Sequence, residues 1–305
     1  MNNLHNYYTL DSYLKQLYHS KVFKVSLSGH FSCPNRDGAL GTGGCLFCTE
    51  QGAGEFAGLV HDSLATQFAK GKALLHQKWP NAKYIAYFQA NTNTYAPLST
   101  LKSLFEEAIN LDPDIVALSI ATRPDCLSNE VITYLATLNH QLPIWIELGL
   151  QTIHSATREA MHIGYPLSLF DEMVGKLRAH NLQVIVHIIN GLPNETKVMM
   201  SETIQHLNHL DIQGVKIHAL YLTTTSILGH QYQQTSFPLL SREDYVDVVC
   251  TQLTLLDPMI VIHRLTGDPP RKDTIGPLWV MNKKVVLNEI DKRMRLLNYH
   301  QGCKK

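Results

Sequence analysis

The chain has 305 residues, and its 26 Lys and Arg are balanced by 26 Asp and Glu, so its formal charge is zero. Zero charge excludes a protein held to nucleic acid by overall charge, although a local basic patch stays possible. Apolar residues make up 45% and charged residues 17%, which predicts a globular chain with a large core. The sequence has neither a membrane-length apolar run nor a signal peptide. We therefore predict a cytoplasmic protein without membrane association.

Six short runs rich in β-branched and aromatic residues predict buried strands, with helical periodicity between them. After the first run they recur about every thirty residues, which is typical of repeated βαβ units and a parallel sheet. We predict an α/β fold, namely an open, partial (βα)6 TIM-like barrel with functional residues at the C-terminal ends of its strands. The six runs are residues 22–27, 84–88, 115–120, 144–148, 184–189 and 215–220.

The pattern changes after residue 238. Helical periodicity over residues 242–256 is followed by the Gly- and Pro-rich segment VIHRLTGDPPRKDTIGPLW and by a last helix over residues 283–297. We predict a barrel over residues 1–238 and a helical C-terminal extension, residues 239–305, packed on it. Residues 263–305 hold ten Lys or Arg against four Asp or Glu. Such a basic tail suits a phosphate backbone, and the alternative is a solvated surface helix.

A cluster of cysteines follows the first predicted strand. Cys33, Cys45 and Cys48 lie in a Gly-rich loop, and the C-x2-C pair is a spacing that lets two thiolates converge on a metal or cluster. Clustered cysteines in a reducing compartment indicate metal ligands rather than disulfides. Three ligands favour a [4Fe–4S] cluster with one open iron, and the alternative is zinc with His30 as the fourth ligand. The other cysteines are scattered singly: Cys126, Cys250 and Cys303.

Several segments together resemble the radical S-adenosylmethionine (SAM) superfamily, and within it the YtqA/YhcC-type subfamily. They are KVSLSGHFSCPNRDGALGTGGCLFC, FQANTNTYAP, SIATRPDCL, HIINGLPNET and HRLTGDPPR. The spacing C-x11-C-x2-C is longer than the usual C-x3-C-x2-C of the superfamily. The subfamily also resembles the radical domain of the elongator catalytic subunit, which modifies wobble uridine in tRNA. The resemblance implies a [4Fe–4S] cluster on Cys33, Cys45 and Cys48, with SAM bound at the fourth iron.

The resemblance also implies which residues bind SAM. Phe47 would pack near the adenine, Gln89 or Asn91 would accept from the amino group, and Glu147, or else Gln151, would meet the ribose hydroxyls. The remaining implied contacts are the adenine turn at Gly191, the adenine pocket at Tyr221, and a cation for the SAM carboxylate at Arg123 or Arg158. Many relatives carry an N-R-G-H motif at 162–165, where this chain has HIGY.

The implied function is a radical SAM enzyme that generates a 5′-deoxyadenosyl radical and converts 5-carboxymethylaminomethyluridine at the tRNA wobble position to 5-aminomethyluridine. Its implied partners are tRNA and an external one-electron reductant such as flavodoxin or ferredoxin. The alternatives are a radical enzyme with a small-molecule or protein substrate, and a non-catalytic, zinc-stabilised RNA-binding protein. The catalytic residues stay open. The candidates are His187 and His218, which either face inward toward the substrate or are hydrogen-bonded core residues, and His263 in the segment HRLTGD.

Overall fold

The computed structural model describes residues 5–50, 52, 61–76 and 78–305. Its centre is a curled sheet of seven parallel strands, which forms an open half-barrel and confirms the predicted fold class and all six predicted strands. These strands are β1 (Val22–Leu27), β2 (Lys83–Phe88), β3 (Ile115–Thr122), β4 (Ile144–Gln151), β5 (Gln183–Asn190), β6 (Gly214–Ala219) and β8 (Val261–Arg264). They lie side by side in that order, and β7 (Leu222–Thr223) pairs with β9 (Thr274–Gly276) in a separate antiparallel ribbon.

Helices cover the outer face of the sheet. They begin where side chains can satisfy free backbone N–H groups: Ser128 accepts from the Val131 N–H at the start of α4, and Ser241 accepts from the Asp244 N–H at the start of α9. The helices are α1 (Leu10–Tyr18), α2 (Leu64–His76), α3 (Leu98–Ile109), α4 (Asn129–Leu138), α5 (Ser155–Ala160), α6 (Leu167–Ala179), α7 (Lys197–Leu207), α8 (Ile227–Gln234), α9 (Arg242–Leu255) and α10 (Lys283–Leu296). Within the described ranges, no helix is long and apolar enough to cross a bilayer.

Alternate residues of each strand point to opposite faces, and the two faces differ in chemistry. Outward-facing residues such as Leu118 and Val186 belong to the large core beneath the helices. At the N-terminal ends of the strands, the inward face carries a small apolar cluster that includes Ile85 and Trp145, and Leu14 of α1 packs against it. Further along the same strands the inward residues are polar or charged. Helix α1 and the apolar cluster thus close the barrel at the N-terminal ends of its strands. The polar interior opens at the C-terminal ends.

The seventh strand, β8, was not predicted. It comes from the Gly- and Pro-rich segment of the predicted extension and pairs in parallel with β6, with Gly214 opposite Val261 and Lys216 opposite Arg264. Its backbone is also held by the N-terminal segment, since the Ile262 N–H donates to the Tyr8 carbonyl at 2.8 Å. The C-terminal region therefore adds a strand to the barrel sheet as well as helices. The division at residue 238 stays a prediction.

Candidate functional site

The three clustered cysteines line one cavity at the C-terminal end of the barrel. We call it the cysteine cavity. The loop folds back on itself because Gly43 and Gly44 adopt positive φ, and the Gly44 N–H donates to the Asn35 carbonyl at 2.8 Å. The Asn35 side chain donates to the His162 carbonyl at 2.6 Å and contacts the Cys45 sulfur at 3.5 Å. The HIGY segment thus supports the cysteine loop.

The Cys45 thiol is the more acidic member of the C-x2-C pair. A hydrogen bond from the Cys48 thiol, with the charges of Arg123 and Arg36 and the Asn35 contact, lowers its pKa to about 7 against the cost of burial. In contrast, burial raises the pKa of Cys126 and of Cys250 to about 12, and neither lines the cavity. The surroundings therefore favour the thiolate of Cys45, which is the form that binds metal, whereas the hydrogen bond to Cys45 and burial raise the pKa of Cys48 well above its usual value.

The donor set fits a cluster better than a single ion. In the described ranges, no three His, Cys, Asp or Glu side chains converge as the ligands of one metal ion do. His30 does not line the cysteine cavity, so the structure does not place it with the cysteines as the fourth ligand that structural zinc needs. In a four-iron cluster each thiolate binds its own iron, so three thiols around one cavity suffice.

The residues predicted to hold SAM divide between those that line the cysteine cavity and those that do not. Phe47, Gln89 and Asn91 line it. The Asn91 side-chain N–H donates to the Phe31 carbonyl at 3.1 Å, and its buried Oδ1 has no hydrogen-bond partner among the described residues. An unpaired buried acceptor is costly unless a ligand fills its place. Asn91 Oδ1 therefore fits the ammonium group of SAM.

The two arginines predicted for the SAM carboxylate differ in position. Arg123 lines the cavity but binds Asp125 with two nitrogens, at 2.7 and 2.9 Å. Arg158 donates to the backbone carbonyls of Leu150, Thr152 and Tyr165, and it does not line the cavity.

Arg36 was not among the arginines predicted to bind the SAM carboxylate, but it also lines the cavity. Its guanidinium donates to the carbonyls of Thr49 and Glu50. This placement favours Arg36 and Arg123 over Arg158 as the cations nearest the cofactors.

Glu147 lies at the centre of a buried ion network in the barrel interior, which we call the charged layer. Its side chain is fully buried, and both oxygens take donors from other strands. The donors are Lys24 of β1 and Ser119 of β3 on one oxygen, and His187 of β5 and Lys216 of β6 on the other. The positive charges of the lysines hold its pKa well below the usual range despite the opposing effect of burial. Glu147 is therefore an ionised carboxylate already surrounded by donors.

Gln151, our second candidate for the ribose, is better placed than Glu147. Both residues line the cysteine cavity, but Gln151 is the last residue of β4 and is partly exposed, whereas the side chain of Glu147 is fully buried. The ribose role of Glu147 stays a prediction, although its four protein donors leave little capacity for hydroxyl groups.

Gln151→Ala is expected to weaken SAM binding by about 1 kcal/mol, the net value of a typical hydrogen bond, or roughly fivefold in dissociation constant. Equilibrium dialysis with the cluster-loaded protein measures this change. Gln213→Ala, just before β6 and outside the cysteine cavity, is the matched control. Unchanged SAM affinity in Gln151→Ala would show that the ribose is held elsewhere.

A second cavity adjoins the cysteine cavity and shares walls with it. Six residues belong to both: Phe47, Cys48, Tyr87, Gln89, Gln151 and His187. The second cavity is further lined by residues of β5, β6 and β8 and of the turn after β6: Ile189, Lys216, His218, Ala219, Leu220, Tyr221 and Arg264. The predicted candidates His187, His218 and Tyr221 thus face one space, and Lys216 and Arg264 join them there.

Two predicted residues lie elsewhere. His263 packs beside the small apolar cluster at the N-terminal ends of the strands, with its ring 5.5 Å from that of Trp145. It lines neither cavity. Gly191 adopts φ +92° and packs against Leu240 and Leu220, outside both cavities. Their roles stay predictions that this placement does not favour.

The half-barrel, the cysteine loop after β1 and the adjoining cavities define a radical SAM protein. The sequence profile of the radical SAM superfamily matches residues 39–207, and that of the radical SAM C-terminal domain matches residues 212–295. The chain belongs to the radical SAM superfamily. Its cofactors are therefore a [4Fe–4S] cluster and SAM.

Particular relatives share most of its length. The chain is 47% identical over 296 residues to the uncharacterized protein YtqA of Bacillus subtilis, covering 97% of this chain and 92% of YtqA. It is 33% identical over 288 residues to protein YhcC of Escherichia coli, covering 94% and 91%. These similarities confirm the predicted YtqA/YhcC-type relationship.

Solved structures show the same fold. The archaeal Methanocaldococcus infernus Elp3 with an N-terminal deletion gives a TM-score of 0.69 at 15% identity, over 92% of this chain and 64% of the Elp3 chain. Methylornithine synthase (PylB) gives 0.52 at 10% identity, over 95% and 86%. At these identities the likeness concerns the fold alone.

Proposed function

We propose that this radical SAM enzyme modifies tRNA, converting 5-carboxymethylaminomethyluridine at the wobble position to 5-aminomethyluridine. When bound, the cluster and SAM supply a 5′-deoxyadenosyl radical, which abstracts a hydrogen atom. Members of the family need a one-electron reductant, and we propose flavodoxin or ferredoxin. A cytoplasmic location would keep the thiols of the cysteine loop reduced.

The observation that carries this proposal is a line of charged side chains from the second cavity to the basic helix α10. Arg264, in the cavity wall, lies 3.6 Å from Asp268, and Lys283 at the start of α10 lies 3.4 Å from the same carboxylate oxygen. Further along α10, Lys284, Lys292 and Arg295 are exposed. A nucleotide in the cavity and its phosphate backbone along α10 could therefore be bound together.

The direct test is nucleoside analysis of tRNA by mass spectrometry. A strain lacking the gene is expected to retain 5-carboxymethylaminomethyluridine and to lose the 5-aminomethyl form. The purified, cluster-loaded enzyme with SAM and a reductant should restore that form in the same tRNA. An unchanged nucleoside profile, with no conversion by the purified enzyme, would contradict the proposal and favour a small-molecule or protein substrate.

The basic helix gives a second prediction. Binding of bulk tRNA should weaken steeply with salt, because each phosphate contact releases a counterion. The double variant Lys292→Ala/Arg295→Ala should lower the slope of log affinity against log salt by about two, since each phosphate contact contributes about one. Arg293 is left in place because it pairs with Asp247. Filter binding at several salt concentrations measures the slope.

The matched control removes two positive charges elsewhere, with Lys70→Ala/Lys176→Ala on α2 and α6. It should keep the slope of the parent protein. A slope that is the same in the α10 variant and in the parent would show that α10 does not contact phosphates.

A further inference from the structure

The charged layer holds more positive than negative charge. Lys24, Lys216 and Arg264 lie around a single buried carboxylate, Glu147, whose two oxygens are already used by the lysines, Ser119 and His187. Arg264 has an acidic neighbour in Asp268, but this residue is 39% exposed at the rim and is shared with Lys283. One buried carboxylate therefore faces three basic side chains, and two of them, Lys216 and Arg264, line the second cavity.

The other titratable groups beside Lys216 are neutral and cannot balance this excess. Burial and the nearby lysines lower the pKa of His187 to about 4, and burial lowers the pKa of His218 well below its usual range. Burial and Glu147 raise the pKa of Tyr87, so its phenol stays protonated. Burial also lowers the pKa of Lys216 to about 7, with Lys24 and Arg264 adding to this effect against the attraction of Glu147.

The lining of the second cavity also offers unused hydrogen-bonding capacity. His218 Nε2 is buried and has no partner among the described residues, and its ring lies 5.2 Å from that of His187. The Lys216 ammonium donates to the Tyr87 hydroxyl at 3.2 Å as well as to Glu147. Burying cations without a matching anion is costly, so such an arrangement is typical of a site that is completed by an anionic ligand.

We propose that the second cavity binds the carboxylate group of the substrate between Lys216 and Arg264. This proposal rests on the proposed function, because 5-carboxymethylaminomethyluridine carries such a carboxylate, and it adds the residues that select for it. SAM also has a carboxylate, but Lys216 and Arg264 line only the second cavity, whereas Arg36 and Arg123 line the cysteine cavity. The positive charges of the two sites thus serve different anions.

The same charges would favour release of the product. Conversion to 5-aminomethyluridine takes one hydrogen atom from the glycine-derived methylene and passes one further electron to the oxidised form of the electron-transfer protein, which gives an imine. Water adds to this imine and the C–N bond breaks, releasing glyoxylate and a primary amine that is protonated at neutral pH. An ammonium group next to Lys216 and Arg264 is repelled, since like charges disfavour each other in a partly buried site. The substrate side chain also carries an ammonium group but balances it with its carboxylate, so the site distinguishes a zwitterionic substrate from a cationic product.

The test compares two nucleosides, 5-carboxymethylaminomethyluridine and its methyl ester, as ligands of the cluster-loaded enzyme with SAM. Isothermal titration calorimetry gives both dissociation constants. The parent enzyme is expected to prefer the acid over the ester by at least about tenfold. Arg264→Gln and Lys216→Met should reduce this ratio to about one while leaving SAM affinity unchanged. Lys176→Met, which removes a surface lysine 2.7 Å from Glu172, should keep the ratio of the parent.

Lys216→Met removes one of the hydrogen-bond partners of the buried Glu147 and can therefore impair folding. Arg264→Gln does not carry this risk, because Arg264 pairs with Asp268 and has no hydrogen bond to Glu147. Equal affinity of the parent for acid and ester would overturn the proposal. So would a preference that survives Arg264→Gln, or a loss of SAM affinity in both variants, which would assign the charges to SAM. A tenfold preference for the acid that both variants lose supports the carboxylate site. A failure to convert tRNA would contradict the proposed tRNA substrate and would leave this result standing.

Discussion

Cys33→Ala, Cys45→Ala and Cys48→Ala are each expected to give a protein without its four-iron cluster and without SAM cleavage. The three thiols line one cavity, and each would hold a different iron, so the loss of one leaves the cluster with two protein ligands. Iron and acid-labile sulfide in anaerobically purified protein measure the cluster. Formation of 5′-deoxyadenosine in the presence of a chemical reductant measures SAM cleavage, and we expect it to fall to background.

The matched controls are the other cysteines. Cys126→Ala, Cys250→Ala and Cys303→Ala should keep both iron and SAM cleavage, because none of these residues lines the cysteine cavity. Equal behaviour of all six variants, or zinc in place of iron in the parent protein, would refute the assignment of the ligands.

Glu147→Gln is expected to lower the free energy of unfolding by about 3–5 kcal/mol, the usual cost of breaking a buried ion pair by removing one partner. The variant keeps the shape of the side chain but leaves Lys24 and Lys216 buried without their counter-ion. Urea denaturation followed by circular dichroism measures the loss. The control Glu172→Gln breaks the exposed pair with Lys176 on α6 and should cost no more than about 0.5 kcal/mol.

The loss in Glu147→Gln should shrink as the pH rises. Without the carboxylate, the buried lysines favour their neutral form, so the unfolded chain binds more protons than the folded one and the stability of the variant increases with pH relative to the parent. Measurements between about pH 5.5 and pH 7.5 test the sign, because the pKa of Lys216 in the parent is about 7 and above it the parent also loses this proton on folding. A variant as stable as the parent at pH 7 would show that the charged layer does not stabilise the fold.

Most of the fold could be predicted from the sequence because six of the seven strands of the main sheet are apolar runs. The exception, β8, has four residues, of which His263 and Arg264 are polar, and Gly and Pro follow it closely. A strand this short has too few alternating positions to give a period, and its place in the sheet depends on pairing with β6. Pairing with β6, and not the local sequence pattern, therefore determines that these residues form a strand.

The sequence also indicated the cysteine loop, because its ligands lie close together along the chain. It could not show the partners of Glu147, since they come from β1, β3, β5 and β6 and meet only through the register of the sheet. A signal was nevertheless present. Lys24 and Lys216 interrupt otherwise apolar predicted strands, and a lysine in such a run needs a buried counter-ion.

The contribution of β8 bears on how substrate preference can diverge within this family. The cysteine loop follows β1 and Arg264 belongs to β8, so they lie far apart in the sequence, yet both face connected spaces. Mutations in the C-terminal region can thus alter the charge or width of the second cavity without touching the residues around the cofactors. Paralogues can in this way acquire new substrates while inheriting one radical-generating apparatus, and chimeras that exchange residues 239–305 between relatives would exchange part of the cavity wall as well.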